Sequence, residues 1–572
     1  MSLPNLVPSG SRVDVQQTTF AIDAMGRYAC STWDEATGSG GAPFTAVVVG
    51  AGMYGAYCAV KLFRQNPNVR VLLLDAGRFL VSEHVQNLAR MGLNVASPIT
   101  PSTDPGVPRE LVWGLPWRGN VDFPGLAYCT GGKSIYWGGW CPRFTGPDLQ
   151  KWPDGVRQYL QSNYTNVESE TGVLPATDFI FGELLDALQP RLVAGTQTVP
   201  HIELAVGDQG VEPAPLAVQG SAPASGLFSF DKFSSLPLLL DAIRDDVASS
   251  GVNDTKRRLF LVPVAHVIKL HTSGGTVQRI EVDVDGQRRS LDITPQCAVV
   301  LAASAVESTR IALHSFPTPL MGRNLMAHVR SDFTVRVRRA AFPTLPAHVQ
   351  TAALLVRGVT PQGRFHLQVT ASTHQAGSDE LLFQMVPDLD ILSAQLANED
   401  PDWITITFRG IGEMRGDRAT HVPNADGSWI DLSPFERDEY GVPRAYVQIK
   451  PHPDDLQVWQ KMDAAAVALA QRIANAPGNI QYLYDGGWKD QPFPLGRSFP
   501  EWHRGLGTTY HESGTLWMGS DPSSSVTNEV GRFHHVSNAY ACDQSLFPTV
   551  GSANPVLTGL TLARRVAENI AS

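Results

Sequence analysis

Short apolar runs and strictly alternating stretches divide the chain into two textures. Thr45 to Val49 (TAVVV) and Val69 to Leu74 (VRVLLL) are continuous, β-branched-rich runs, the pattern of strands buried on both faces. Between them Ala56 to Gln65 (AYCAVKLFRQ) reads as a helix, which Asn66-Pro67-Asn68 breaks, so the spacing predicts a βαβ unit. Arg258 to Lys269 and Arg279 to Asp285 are strand-like, and Cys297 to Leu301 (CAVVL) is a further buried strand. From 331 to 450 the pattern changes to alternation, as in Asp332–Val337 (DFTVRV), Trp403–Phe408 (WITITF) and Tyr446–Ile449 (YVQI). Alternation predicts an antiparallel sheet with one wet face. Asp454–Ala476 and Gly559–Ala571 are predicted helices.

Composition narrows the class. With 43% hydrophobic and 17% charged residues, the 572-residue chain has ample apolar material for a large core, which excludes disorder as its main state. Its length alone suggests about four domains. Lys+Arg 45 against Asp+Glu 55 leaves a formal charge of −10, so the basic excess that a nucleic acid or an anionic membrane requires is missing. No uninterrupted apolar stretch approaches transmembrane length, and MSLPNLVPSGSRVDVQQ lacks a signal-peptide pattern, so a cytoplasmic location is expected. Residues 1–43, polar and ending in ATGSGGAP, read as an N-terminal arm. Cys30, Cys58, Cys129, Cys141, Cys297 and Cys542 are scattered without a CxxC pair, which favours neither zinc nor a disulfide scaffold. His534-His535 has no partner at ligand spacing, and no metal is expected.

The first chemistry-bearing motif is Gly50-Ala51-Gly52-Met53-Tyr54-Gly55, a G-x-G-x-x-G between a buried strand and a helix, with Asp75 at the end of the next strand. Gly50 permits the tight turn, Gly52 lets backbone approach a pyrophosphate, and Gly55 allows helix and strand to pack closely. The helix N-terminus offers unpaired N–H groups to phosphate, and Asp75 suits ribose hydroxyls. The pattern predicts a bound dinucleotide and does not choose between FAD and NAD.

Five further segments extend the pattern: LLLDAGR ending at Arg78; Gly131 to Gly139 (GGKSIYWGG); Val299 to Arg310 (VVLAASAVESTR) with Met321 to His328 (MGRNLMAH); Tyr510 to Gly519 (YHESGTLWMG); and Tyr540 to Leu560 (YACDQSLFPTVGSANPVLTGL). In this order the chain resembles the glucose–methanol–choline (GMC) family of flavoprotein oxidoreductases over nearly its whole length, nearest the branch of pyranose and glycoside oxidases. The resemblance implies an α/β fold: a Rossmann-like FAD-binding domain, discontinuous in sequence, and a substrate domain built on an antiparallel sheet. The FAD-binding domain would draw on 44–150, 251–330 and 501–572. The substrate domain would take 331–500, with 151–250 mixed between substrate domain and connecting segments. Two interleaved domains thus replace the four that length suggests.

Carried over residue by residue, the resemblance places Gly50, Gly52 and Gly55 at the pyrophosphate and Asp75 at the adenosine ribose, with Met53, Tyr54, Ala76 and Gly77 also binding the cofactor. Gly131, Gly132, Ser134, Trp137 and Gly138 would line the flavin and its ribityl chain, with Val267 and Ala303 also in contact. Asp543, Asn554, Pro555 and Thr558 would close over the cofactor from the C-terminal side. Tyr136 stands where flavinylated pyranose oxidases carry the linking His, so FAD is expected to be non-covalent. Gly138 replaces a Thr of those oxidases, and Ser304 replaces a family Gly.

Oxidising an alcohol removes a hydride from the carbinol carbon and a proton from the hydroxyl. A neutral His suits the second task. The resemblance gives that role to His511, with Asn554 hydrogen-bonding the same substrate oxygen and Thr509 and Tyr510 on the substrate side. His328 reads as structural, and Glu512 as a structural or solvent-facing neighbour. Trp137 and Trp140 fit sugar stacking and packing equally. The expected substrate is a secondary hydroxyl of a sugar or glycoside, with O2 or another electron acceptor. The alternatives are a non-sugar alcohol dehydrogenase using a quinone or protein acceptor, and a flavin-retaining lyase. Substrate, acceptor and oligomeric state stay open at this level.

Overall fold

The computed structural model describes residues 29–38, 40–84, 113–114, 117–121, 126–173, 182–218, 232–250, 253–346, 350–373, 400–418, 426–498 and 500–572. Most of the expected N-terminal arm lies outside these residues.

Strands β1 (Ala46–Val49), β2 (Val71–Leu74), β3 (Leu259–Val262) and β4 (Ala298–Leu301), with the edge strand Ala539–Ala541, form one parallel five-stranded sheet. Its order, from the 539–541 edge, is β4, β1, β2, β3. Every residue of β1 to β4 is buried, which is why these runs carry no polar alternation. Helix α1 (Met53–Gln65) connects β1 to β2. The single strand expected over 258–269 is instead two, β3 and Ala265–Ser273, because Val264 after Pro263 turns the chain at φ 53°. Parallel pairing thus gathers segments almost 500 residues apart at one sheet.

The second sheet has seven strands, all antiparallel. Among them β5 (His328–Arg338), β6 (Thr351–Val359), β7 (Arg364–Thr373) and β8 (Trp403–Glu413) run in the order β5, β8, β7, β6. The long helix α2 (Pro453–Ala474) begins with a capping box at His452 and Asp455 and packs on one face of this sheet. Gly410 makes room for Met462 of that helix, since a Cβ there would lie 2.8 Å from it, and a Cβ on Gly412 would meet Val329 at 2.7 Å and Val458 of the helix at 3.3 Å. Phe365, Leu367, Val369 and Ala371 of β7 share that apolar face by alternation. The opposite face carries His366, Gln368 and Thr370, paired across to Ile411, Arg409 and Thr407. The alternation is the one the sequence shows, but this polar face is not wet: His366, Gln368, Thr370 and Thr407 are all buried. A buried polar sheet face has to be satisfied from within the protein or by a ligand, and that directs attention to it.

Candidate active site

The G-x-G-x-x-G loop has the geometry of a phosphate cradle. Gly50 sits at φ 99°, and a Cβ on Gly55 would lie 1.9 Å from the Gly50 carbonyl oxygen, so neither position accepts another residue without movement. Gly52 caps α1 with no side-chain hydrogen bond, which leaves the first-turn N–H groups open to a ligand. Gly132 approaches from the other side: its Cβ would be 3.1 Å from the Gly52 Cα.

A long cavity runs from this loop. Gly50, Gly52, Met53, Tyr54, Asp75, Ala76, Gly77, Gly132, Val267 and Ala303 line it, and so do Lys133, His266, Glu307 and Gln544, which the sequence reading did not single out. Asp75 accepts from the backbone N–H of Ala51 (2.7 Å) and of Gly77 (2.8 Å), and burial raises its pKa to about 6. Ser304 also lines the cavity, and it holds the φ 77°, ψ 153° conformation that its family Gly would adopt without strain.

Other expected contacts stand behind this wall. Ser134 is fully buried and its hydroxyl is engaged by the Gly131 carbonyl (2.6 Å) and Ser234 Oγ (2.9 Å). Asp543 accepts from Ser308 Oγ (2.6 Å) and Ser545 N–H (2.9 Å), and Thr558 meets the Tyr164 hydroxyl at 2.9 Å. Trp137 donates its indole N–H to the Phe233 carbonyl (2.7 Å), while Trp140 is buried at 2% exposure. Gly131 (φ 92°) turns the chain into the short 3-10 helix Gly132–Ile135, and Gly138 lies half-buried beyond it. Pro555 caps the terminal helix α3 (Val556–Ala571).

His511 and Asn554 come together. Reciprocal backbone bonds between Met326 and Ser513 (3.0 and 2.9 Å) lay the 511–513 segment beside the start of β5. They set His511 Nδ1 at 2.8 Å from His328 Nδ1, with the two rings perpendicular. His328 Nε2 lies 3.0 Å from the Gly551 carbonyl oxygen. Asn554, three residues on, places Nδ2 at 3.4 Å from His511 Nε2. Gln368 Nε2 then donates to Asn554 Oδ1 at 3.0 Å and lies 3.1 Å from His366 Nε2. Burial, then the neighbouring His328 and the cations Arg409 and Lys133, hold the His511 pKa well below the usual imidazole range. Burial likewise lowers His328 to about 4.

Glu512 is buried, 3.9 Å from Lys133 Nζ, and its Oε1 has no hydrogen-bond partner; the Thr509 hydroxyl is also buried and unpartnered. Tyr510 adopts φ 57°, which points the flanking Thr509 and His511 along different paths from a regular strand. His328, which the sequence reads as structural, joins this arrangement, together with Gln368 and His366, which the sequence reading did not single out. The polar positions of RFHLQVTAST were the available signal, read as a solvent face. Among the described residues no group of three His, Cys, Asp or Glu could hold a metal ion, and no helix is long and apolar enough to cross a membrane.

Residues 423–563 match the family model for the GMC oxidoreductases. Over 449 residues the chain is 24% identical to C-glycoside 3-oxidase of Microbacterium trichothecenolyticum, covering 77% of this chain and 75% of that one. It is 30% identical to paromamine 6'-oxidase of Streptomyces fradiae over 149 residues, 26% of this chain and about a quarter (24%) of that protein's length. The fold superimposes on a formate oxidase of Aspergillus oryzae RIB40 with a TM-score of 0.57 at 14% identity, covering 93% of this chain and 98% of that one. In its phosphate cradle, its parallel sheet and its matched C-terminal segment, the chain is similar to the GMC oxidoreductases, a family of flavoproteins.

Proposed function

We propose that this protein oxidises a secondary hydroxyl of a sugar or glycoside to the ketone, using non-covalently held FAD, with His511 as the base. The observation that carries the reading is the bare nitrogen of His511. A backbone carbonyl only accepts, so His328 must carry its proton on Nε2 to bond Gly551, which leaves His328 Nδ1 an acceptor. His511 must then donate from Nδ1, and its Nε2 carries an unprotonated lone pair. That nitrogen takes the hydroxyl proton of the substrate. Asn554 Nδ2, 3.4 Å away, is loosely bound to it and can turn its N–H to the substrate oxygen.

The residues present fit the cofactor. The glycine pair Gly52 and Gly132 leaves a cradle that a Cβ would fill, and the uncapped N-terminus of α1 faces it. The buried, unpartnered Oε1 of Glu512 and the Lys133 ammonium sit between that cradle and His511. Gly50, Gly52 and Met53 would hold the pyrophosphate, Asp75 the ribose, and Val267 the adenine. When bound, the flavin supplies the acceptor for the carbinol hydride. Tyr136 offers no imidazole for a covalent link.

The sugar or glycoside class draws support from the two named relatives, and from the buried amide, imidazole and hydroxyl groups that β7 and β8 carry on the sheet face that meets Asn554. Anaerobic addition of a panel of monosaccharides, O-glycosides and C-glycosides, with simple secondary alcohols alongside, tests it. Bleaching of the flavin band by members of the sugar panel is expected. Bleaching by simple alcohols alone removes the sugar assignment, and bleaching by none removes alcohol oxidation. Admission of air to the reduced enzyme then separates O2 from other electron acceptors by the rate of reoxidation.

A further inference from the structure

The amide of Asn554 is held from behind, and its direction follows from groups some distance from the reaction. The lone pair of His511 Nε2 requires Asn554 to face it with the NH2. Asn554 Oδ1 therefore faces away, toward Gln368, which must present its own NH2 at 3.0 Å. The second proton of that NH2 meets His366 Nε2 at 3.1 Å, so this nitrogen is also bare. Burial, first, and the cations Arg357 and Arg409 keep His366 neutral, as an acceptor at that position requires. From the Gly551 carbonyl the order is His328, His511, Asn554, Gln368 and His366, with each donor and acceptor fixed by the one before. Reversing any single amide would set two donors or two acceptors face to face.

Resting on the role proposed for His511 and Asn554, we infer that Gln368 is a positioning residue of the hydride-transfer reaction: it holds the Asn554 amide with its N–H toward the substrate oxygen, and His366 in turn fixes Gln368. Gln368 is 1% exposed and lies on an interior strand of the sheet, its backbone registered against Arg409 of β8. Its Nε2 makes two hydrogen bonds, while its Oε1 is buried without a hydrogen-bond partner. Its hydrogen bonds go to Asn554 and His366 and not to His511 or the cradle, so its influence runs through Asn554.

Two substitutions separate orientation from packing. Gln368→Met keeps the volume and removes both hydrogen bonds. Gln368→Glu keeps the length but presents an acceptor where Asn554 needs a donor, which turns the Asn554 amide over. Both are measured as holoenzymes with the sugar-panel member that bleaches wild type fastest, after melting temperature and flavin content have confirmed folding. We expect kcat to fall by about 10- to 100-fold, more for Glu than for Met, with KM changing far less. The deuterium isotope effect on kcat should rise as the chemical step becomes limiting. In an Asn554→Ala background the same Gln368 substitutions should cost no more than about 2-fold, because the group they act through is gone. Wild-type kcat in folded Gln368→Met, or a full-sized loss in the Asn554→Ala background, overturns the inference. If His511→Ala retains wild-type turnover in the same assay, or no panel member bleaches wild type, the functional reading itself falls and the inference with it.

Discussion

His328 Nδ1 and His511 Nδ1 lie 2.8 Å apart, two imidazoles joined through their like-named nitrogens. Only one of the pair can carry a proton there, and the Gly551 carbonyl decides which, because it claims the Nε2 proton of His328. A residue that reads as structural thereby sets the tautomer of His511, the proposed base. His328→Phe should keep the ring volume, leave His511 free to put its proton on either nitrogen, and lower kcat by about 100-fold while flavin content holds. Steady-state kinetics on the flavin-loaded variant checks this. A loss confined to KM would assign His328 to substrate binding instead.

The pH dependence has a definite sign. An exposed imidazole is half-protonated near pH 6.5 and would lose its basic function below it. Burial and the adjacent positive groups depress the pKa of His511, so it stays neutral where a free His is charged. The acid limb of kcat/KM due to this group should therefore lie well below pH 6.5, with little loss on going from about pH 8 to about pH 6. A half-maximal point at 6.5 would show that His511 is not held neutral. The profile is to be read in buffers where the flavin stays bound.

Ser304 occupies a backbone region that only Gly enters readily. Ser304→Gly should relieve about 1–3 kcal/mol of strain against an entropic cost of about 0.4–1 kcal/mol, a net stabilisation of roughly 1 kcal/mol. Thermal unfolding at fixed flavin saturation measures it. A lower melting temperature would mean that the Ser side chain contributes more than the strain costs.

Gly55 carries the opposite expectation. A methyl group there meets the Gly50 carbonyl at 1.9 Å, so Gly55→Ala must push the loop from the helix. We expect about 3 kcal/mol of destabilisation and loss of most bound flavin on gel filtration. Full flavin content would place the pyrophosphate elsewhere.

What the sequence made legible divides along a physical line. The cradle is local: strand, turn, helix and acid follow one another within 50–75, so spacing alone carries the geometry. The parallel sheet was legible strand by strand because double-sided burial leaves no polar alternation. His511 and Asn554 were legible through their motifs. Gln368 and His366 were not, since polar alternation in an antiparallel strand looks the same whether the polar face meets water or a buried site. Nor was the link between His328 and His511 visible, because it depends on the Met326–Ser513 pairing between segments far apart in the chain. The break after β3 was missed for a smaller reason: a single positive φ at Val264 splits a run whose composition reads as one strand.

The central claim is that the Nε2 lone pair of His511 takes the proton as the hydride leaves. Rapid-mixing measurement of anaerobic flavin bleaching compares wild type with His511→Ala, both loaded with FAD and both given the same reducing glycoside. We predict equal flavin content, with bleaching in the variant slowed by about 10²- to 10⁴-fold and partly restored as the pH is raised toward that of a free alkoxide. Bleaching at the wild-type rate in flavin-loaded His511→Ala would contradict the account.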